Sequence, residues 1–107
     1  MSIIQANKID FIGIDKITDE IILSISDHLD WNDEITHLEI LQNKLNSYIE
    51  FIECGQIFED YPNSKGKKLV IEIVSQYKYS NQGKDYIGRV QPTLNSIGVE
   101  IRQRVLK

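Results

Sequence analysis

The residues best suited to chemistry are concentrated in one short stretch, residues 27–37. Its sequence is DHLDWNDEITH, which holds both histidines of the chain and four carboxylates. Imidazole and carboxylate groups are the ligands that zinc and other first-row metal ions prefer. A small metal-dependent enzyme that uses Asp27, His28, Asp30 and His37 is therefore one function to consider, provided that these groups converge in a pocket.

The spacing within this stretch does not match a known metal motif. His28 and His37 are nine positions apart, whereas two histidines that bind one metal from a single helix are four apart. A calcium loop is excluded as well, because it needs acids at alternate positions around a central glycine. We therefore assign no metal site to these residues.

The same stretch can also be explained without a ligand. Asp27 and Asp30 can cap turns, His28 can bond to the backbone, and Trp31 can close the core where a helix begins. Both explanations single out the same side chains as candidate binding residues: Asp27, His28, Asp30, Trp31 and His37.

Three other groups of residues carry weaker chemical signals. Cys54 follows Glu53 at the expected end of a helix, where the carboxylate and the helix dipole disfavour a thiolate. The KGKK run at residues 65–68 lacks the earlier glycine of a phosphate loop, and Tyr77 and Tyr79 are expected to complete a core at a strand end. The sequence thus provides no catalytic residue and no cofactor site.

The elements that position these residues follow from hydrophobic spacing. Residues 8–14 and 20–26 read as the two strands of a hairpin. An apolar stripe from Ile35 to Ile52 predicts a long helix, with Asp30 or Asn32 as its cap and Gly55 as its stop.

After a connector at 56–68, residues 69–77 predict a central strand. A second helix, capped by Ser80 or Asn81 and stopped by Gly98, precedes a last strand that begins at Val99. Pro92 is expected to kink that helix or to mark its real start.

This order, ββαβαβ, predicts a single α+β domain over residues 1–107, with two helices on one face of a mixed four-stranded sheet. The right-handed crossover rule makes the last two strands parallel. The uncovered face is then expected to carry five aliphatic and two basic side chains as a candidate interface: Ile12, Ile14, Ile22, Val70, Val74, Arg102 and Arg104. Such a patch indicates a partner or a second copy of the chain, unless the connector or Ile3 and Ile4 cover it.

Charge divides the chain into two parts. Residues 1–60 hold 13 acidic and three basic residues, whereas residues 61–107 hold three acidic and nine basic residues. The two parts can neutralise each other within one domain, or the acidic surface between Asp27 and Glu59 can face a basic partner. A nucleic-acid partner is disfavoured because the pI is about 5.1 and phosphate contacts need a basic surface.

Length and cysteine content set the cellular expectations. A chain of 107 residues with 41% hydrophobic content can build one core without a disulfide or a metal. One cysteine fits a reducing compartment, and no apolar run approaches the ~20 residues of a membrane span. We therefore expect a cytoplasmic protein with no membrane contact.

Several motifs, taken together, resemble a small bacterial family known only as a domain of unknown function. They include Ile12-Gly13-Ile14-Asp15, Ile25-Ser26-Asp27-His28-Leu29 with Trp31, and Lys44-Leu45-Asn46 with Tyr48. The resemblance implies a stand-alone cytoplasmic domain and supplies no activity, cofactor or catalytic residue. Our leading hypothesis is a non-enzymatic domain, adaptor-like or immunity-like, that binds a protein or itself through the open sheet face or the acidic helix.

Overall fold

A computed structural model of the chain describes Ile3 and residues 9–106. The strands are β1 (Phe11–Ile14), β2 (Ile21–Asp27), β3 (Leu69–Ser75) and β4 (Val99–Val105). The helices are α1 (Glu34–Glu53), α2 (Gln56–Asp60) and α3 (Asn81–Ser96), and a 3₁₀ turn spans Pro62–Ser64. The predicted first strand began at Lys8, which lies outside the described residues. No helix in the described part of the chain is long and apolar enough to span a bilayer.

The four strands form one mixed sheet in the order β1-β2-β3-β4. β1 pairs with β2 antiparallel, and β3 is parallel to both β2 and β4. The predicted α+β class, the mixed four-stranded sheet and the parallel last pair are therefore confirmed. The chain reverses between β1 and β2 at residues 15–20, where Asp19 adopts a positive φ of 62°.

The core lies between one face of the sheet and the helices. Leu23, Ile25, Ile71 and Ile73 of the two central strands are completely buried there and form one cluster with helix side chains. The helices contribute Leu41, Leu45, Tyr48 and Ile52 from α1, Ile57 from α2 and Leu94 from α3. Ile3 is buried in the same cluster, and Ile4 lies outside the described residues.

Helix α1 differs from its predicted form at its start. Its cap is Asp33, whose side chain accepts a hydrogen bond from the Thr36 backbone N–H, so the predicted caps Asp30 and Asn32 are wrong. Ile35 is 73% exposed because the buried stripe begins at His37, two residues or about 200° further around the helix. The predicted stop is confirmed, since Gly55 has a left-handed φ of 83°.

The connector and the second helix also depart in part from prediction. Residues 56–64 form α2 and the 3₁₀ turn, which the sequence pattern missed; they bury Ile57 but leave Tyr61 exposed. Helix α3 is capped by Ser80, as predicted, and Gly98 follows its end with a φ of 79°. Pro92 lies inside this helix and does not mark its start.

Candidate functional site

The structure brings Asp27 and His37 together in the interior. Asp27 ends β2, and His37 lies in the first turns of α1. The Nε2 atom of His37 is 2.7 Å from Oδ2 of Asp27, and both side chains are 2% exposed or less. Asp27 was expected to cap a turn, and it does so as well, because its Oδ1 accepts a hydrogen bond from the Leu29 backbone N–H at 3.1 Å.

Each remaining polar atom of this pair also has a partner. Nδ1 of His37 is 2.9 Å from the carbonyl oxygen of Asp30, so Nδ1 is the donor, since a carbonyl can only accept. The Tyr79 hydroxyl donates a short hydrogen bond to Oδ2 of Asp27. We call Asp27, His37 and Tyr79 the buried triad.

Tyr79 is the member of the triad that sequence reasoning placed only as a core residue. A signal for it existed, because β2 and β3 are parallel and Asp27 pairs with Ser75 at their carboxyl ends. Tyr79 follows Ser75 by four residues and therefore lies at the same carboxyl end of the parallel strands. Burial, together with the adjacent Asp27 carboxylate, raises the pKa of Tyr79 well above its usual value, so the hydroxyl stays protonated and donates.

Trp31 closes the buried triad from outside. Its ring stacks on His37 at 3.7 Å between centroids and contacts Tyr79 edge to face at 4.8 Å. This confirms the interpretation that Trp31 seals the core before α1. Its indole nitrogen is buried and has no hydrogen-bond partner among the described atoms.

The other two candidates do not join this cluster. His28 is exposed, and among the described residues its ring forms no hydrogen bond to the backbone, contrary to the prediction. Asp30 is exposed and stabilises its own turn, accepting from the Asn32 backbone N–H at 3.1 Å. In the described residues, no group of three or more His, Cys, Asp or Glu side chains could hold a metal ion.

Gly83 of α3 is a close neighbour of the Trp31 ring and offers a direct test of this arrangement. A Cβ at Gly83 would lie 2.7 Å from two ring carbons of Trp31, whereas a Cβ at Gly88 of the same helix would meet nothing within 4 Å. Gly83→Ala is expected to lower the free energy of unfolding by about 1–3 kcal/mol through overpacking.

The matched change Gly88→Ala should raise the free energy of unfolding by about 0.5–1 kcal/mol, since alanine is more favourable than glycine in a helix interior. Denaturant unfolding of the two variants measures the difference. Equal stabilisation by both substitutions would contradict the seating of Trp31 against α3.

A second buried polar cluster supports β1 from α1. The ammonium of Lys44 is 2.8 Å from Oδ1 of Asp10, with the two side chains 0% and 4% exposed. Oδ2 of Asp10 accepts from the Ser26 backbone N–H at 2.9 Å. The Tyr48 hydroxyl accepts from the Asp10 backbone N–H and donates to the Ser24 carbonyl, and burial raises the pKa of Tyr48. Sequence reasoning missed this cluster, because a lysine within an apolar helix face reads as solvent-exposed.

The predicted open sheet face needs two corrections. Ile12 pairs with Leu23 and Ile14 with Ile21, and paired residues point to the same side of a sheet. Ile12 and Ile14 therefore lie on the helix-covered face. Phe11, which is 61% exposed, lies on the open face in their place, since it pairs with Ser24 of β2.

The open face is also more polar than predicted. Val70 is completely buried, although helices cover only the opposite face. Arg102 of β4 reaches Glu20, just before β2, at 2.9 Å, and this ion pair crosses β3 above Val70. Ile22 and Val74 remain half-buried, Arg104 is exposed, and Arg102 is half-buried.

Glu100 and Lys68 complete the network over Val70. Glu100 accepts hydrogen bonds at 2.5 Å from both Arg102 and Lys68. These two cations lower the pKa of Glu100 to about 2, and Arg102 likewise lowers the pKa of Glu20. Much of the open face is thus covered by charged side chains that already form ion pairs with one another.

The surface of α1 and α2 differs from the open face, because its acidic side chains lack basic partners in the described part of the chain. Between residues 30 and 60 the only basic residue is Lys44, which is buried. No acid of this segment makes an ion pair with a base in the described part of the chain. We call these eight acids the acidic surface: Asp30, Asp33, Glu34, Glu39, Glu50, Glu53, Glu59 and Asp60.

Comparison with known proteins gives one match. The model of a family of unknown function, DUF6572, matches residues 1–107. The searches of curated proteins and of solved structures returned no match. The predicted match to a family of unknown function is therefore confirmed, and it brings no activity with it.

Proposed function

The chain belongs to DUF6572, a family of unknown function, and we propose from the geometry of its surfaces that it is a non-enzymatic protein-interaction domain for a basic protein partner. The acidic surface on α1 and α2 is the binding surface in this proposal. An adaptor or an immunity-like protein in the bacterial cytoplasm is the role that fits best. The single cysteine supports that location, because it leaves no disulfide to form within the chain.

One observation carries the proposal: within the described residues, none of the eight acids of the acidic surface forms an ion pair, whereas six of the other eight acids pair with a lysine or an arginine, namely Asp10, Asp19, Glu20, Glu72, Asp85 and Glu100. On β4, α3 and the loop before β3, five basic side chains form ion pairs: Lys67, Lys68, Arg89, Arg102 and Arg104. A surface of one sign accelerates association with an oppositely charged protein and repels partners of the same sign.

The buried triad does not favour the alternative of a metal-dependent enzyme. Both ring nitrogens of His37 and both carboxylate oxygens of Asp27 make hydrogen bonds inside the protein. His28, the remaining imidazole, points into solvent. The side chains of the buried triad join β2, α1 and the segment before α3.

The open sheet face supports binding less well than the sequence suggested. Of its five predicted aliphatic residues, Ile12 and Ile14 face the helices and Val70 lies beneath an ion pair. Self-association through Phe11, Ile22 and Val74 is the second form of binding that the test below distinguishes.

The test compares two variants of equal charge as baits. In one, Glu39, Glu50 and Glu53 of the acidic surface are replaced by glutamine. In the matched control, three acids elsewhere are neutralised: Asp19→Asn, Glu72→Gln and Asp85→Asn. Circular dichroism first establishes that both are folded, and each is then used with the unmodified protein to capture partners from lysate of its source at two salt concentrations.

We expect the unmodified protein and the control variant to capture, in stoichiometric amount, one protein with a basic surface. The glutamine variant should not capture it, and the higher salt concentration should abolish its capture by all baits. Equal capture by both variants would contradict the acidic surface as the binding site. Recovery of the chain alone, at the mass of a dimer, would replace the proposed function by self-association.

A further inference from the structure

A cleft runs beside the edge strand β1 on the helix-covered side of the sheet. It has a volume of about 230 Å³ and lies between β1 and the segment of α2 and the 3₁₀ turn. Its apolar lining includes Ile12, Ile14, Ile21, Tyr61 and Pro62. Small-molecule sites usually enclose about 300–1,000 Å³, so this cleft suits one or two side chains better than a cofactor.

The backbone of β1 presents hydrogen-bonding groups beside the same cleft that no described residue bonds. The Asp15 N–H donates to the Glu20 carbonyl at 2.8 Å, so odd-numbered residues of β1 bond inward to β2. Backbone groups alternate in direction along a strand, and those of Ile12 and Ile14 therefore point away from β2. In the part of the chain that the structure describes, no strand pairs with this edge.

Ile21, which lies opposite Ile14 on β2, supports this outward direction of the Ile14 backbone groups. Ile21 pairs with Ile14, yet its N–H donates to the Lys68 carbonyl at 2.8 Å, on the other side of β2. Ile14 and Ile21 are thus a pair without mutual hydrogen bonds. Ile12 and Ile14 offer both their side chains and their backbone groups at one exposed edge.

The charge around the cleft indicates the chemistry of its occupant. Asp60 lines the cleft, Glu59 precedes it, and neither makes an ion pair with a base in the described chain. Both belong to the acidic surface. An extended segment with apolar side chains at alternate positions and a lysine or arginine beside them complements this edge.

We propose that β1 binds an extended basic and apolar segment of a partner protein by strand addition. The segment forms backbone hydrogen bonds with Ile12 and Ile14 and places an apolar side chain between Ile14 and Tyr61. This mode gives affinity through the main chain and specificity through the cleft. The inference rests on the proposed function, since it assigns a conformation to part of the basic partner.

The experiment uses a phage-displayed library of random peptides, each long enough to form one strand, selected on the full chain. Enriched peptides are synthesised, and their affinities for two variants are measured by calorimetry. Ile14→Glu alters the cleft, whereas Phe11→Glu makes the same change on the opposite face of the same strand. The exposed fractions of Ile14 and Phe11 are 45% and 61%, so both variants are expected to fold.

We expect peptides with alternating apolar residues and at least one basic residue. Ile14→Glu should weaken their binding about tenfold or more, and Phe11→Glu should leave it within about twofold, as expected for a residue outside the contact. Amide exchange at Ile12 and Ile14 should slow when the peptide is bound. These results together would establish strand addition.

Three results would overturn it: no enriched peptide, equal binding to the two glutamate variants, or unchanged exchange at Ile12 and Ile14. Peptides that are merely polybasic and respond only to the Glu39, Glu50 and Glu53 variant would also overturn strand addition while supporting the acidic surface. Failure of this inference is therefore distinct from failure of the proposed function.

Discussion

His37→Ala is expected to lower the free energy of unfolding by about 3–5 kcal/mol, because it leaves a buried carboxylate without one of its partners. The substitution leaves the Asp27 carboxylate in the interior with only Tyr79 and the Leu29 backbone N–H as donors. It also opens a space beneath the Trp31 ring. Urea unfolding followed by fluorescence measures the loss, and Trp31, the single tryptophan, reports directly on the altered site.

The other histidine provides the control for this prediction. His28 lies one residue after Asp27 and is exposed, so His28→Ala should change stability by less than about 0.5 kcal/mol. A similar small loss for His37→Ala would mean that the buried triad does not join β2 to α1. A large loss for His28→Ala would indicate that His28 makes contacts that the fold does not show.

Lys44→Met is expected to cost about 3–5 kcal/mol for the same physical reason. Methionine retains most of the apolar stem of lysine but leaves the Asp10 carboxylate without its cation. Adding Asp10→Asn removes the remaining charge and keeps an oxygen for the Ser26 backbone N–H. The double variant should therefore be more stable than Lys44→Met alone.

A double-mutant cycle over Asp10 and Lys44 measures this coupling in chemical denaturation. Gln42→Met, on the exposed side of the same helix, is the control and should stay within about 0.5 kcal/mol of the original. Additive effects of the two substitutions would show that Asp10 and Lys44 do not stabilise each other.

The fold could be predicted from the sequence because its strands and long helices have clear apolar periods. The spacing from Leu41 to Ile52 and the alternation in β4 both depend on neighbours within one element. The 3.6-residue and two-residue periods report such local order directly. The right-handed crossover rule then sufficed for the parallel last pair, whereas the order of the strands within the sheet was not predicted.

The register of β1 could not be read in the same way. A shift of one residue moves every side chain of a strand to the other face, and β1 has apolar residues at both Phe11 and Ile12. Its alternation therefore gives no preference. Pairing with β2 decides the outcome, and that depends on the geometry of the turn at residues 15–20.

The candidate site was located in sequence but its nature was not. Asp27, Trp31 and His37 do form one cluster, as their proximity in the sequence suggested. Tyr79 comes from another element, and its position depends on the parallel pairing of β2 with β3. Similarly, the buried ammonium of Lys44 bonds to Asp10, which lies 34 positions away in the sequence.

The order of the strands in the sheet has a consequence for how the protein is made. Because β1, β2, β3 and β4 are neighbours in the order in which the ribosome produces them, the sheet can grow one strand at a time without inserting a later strand between earlier ones. The Arg102–Glu20 ion pair joins residues 82 positions apart and can form only after β4 has been added. Nascent chains that stop before Val99 should therefore leave β3 as an uncovered edge, with unpaired backbone N–H and C=O groups that can pair with another strand.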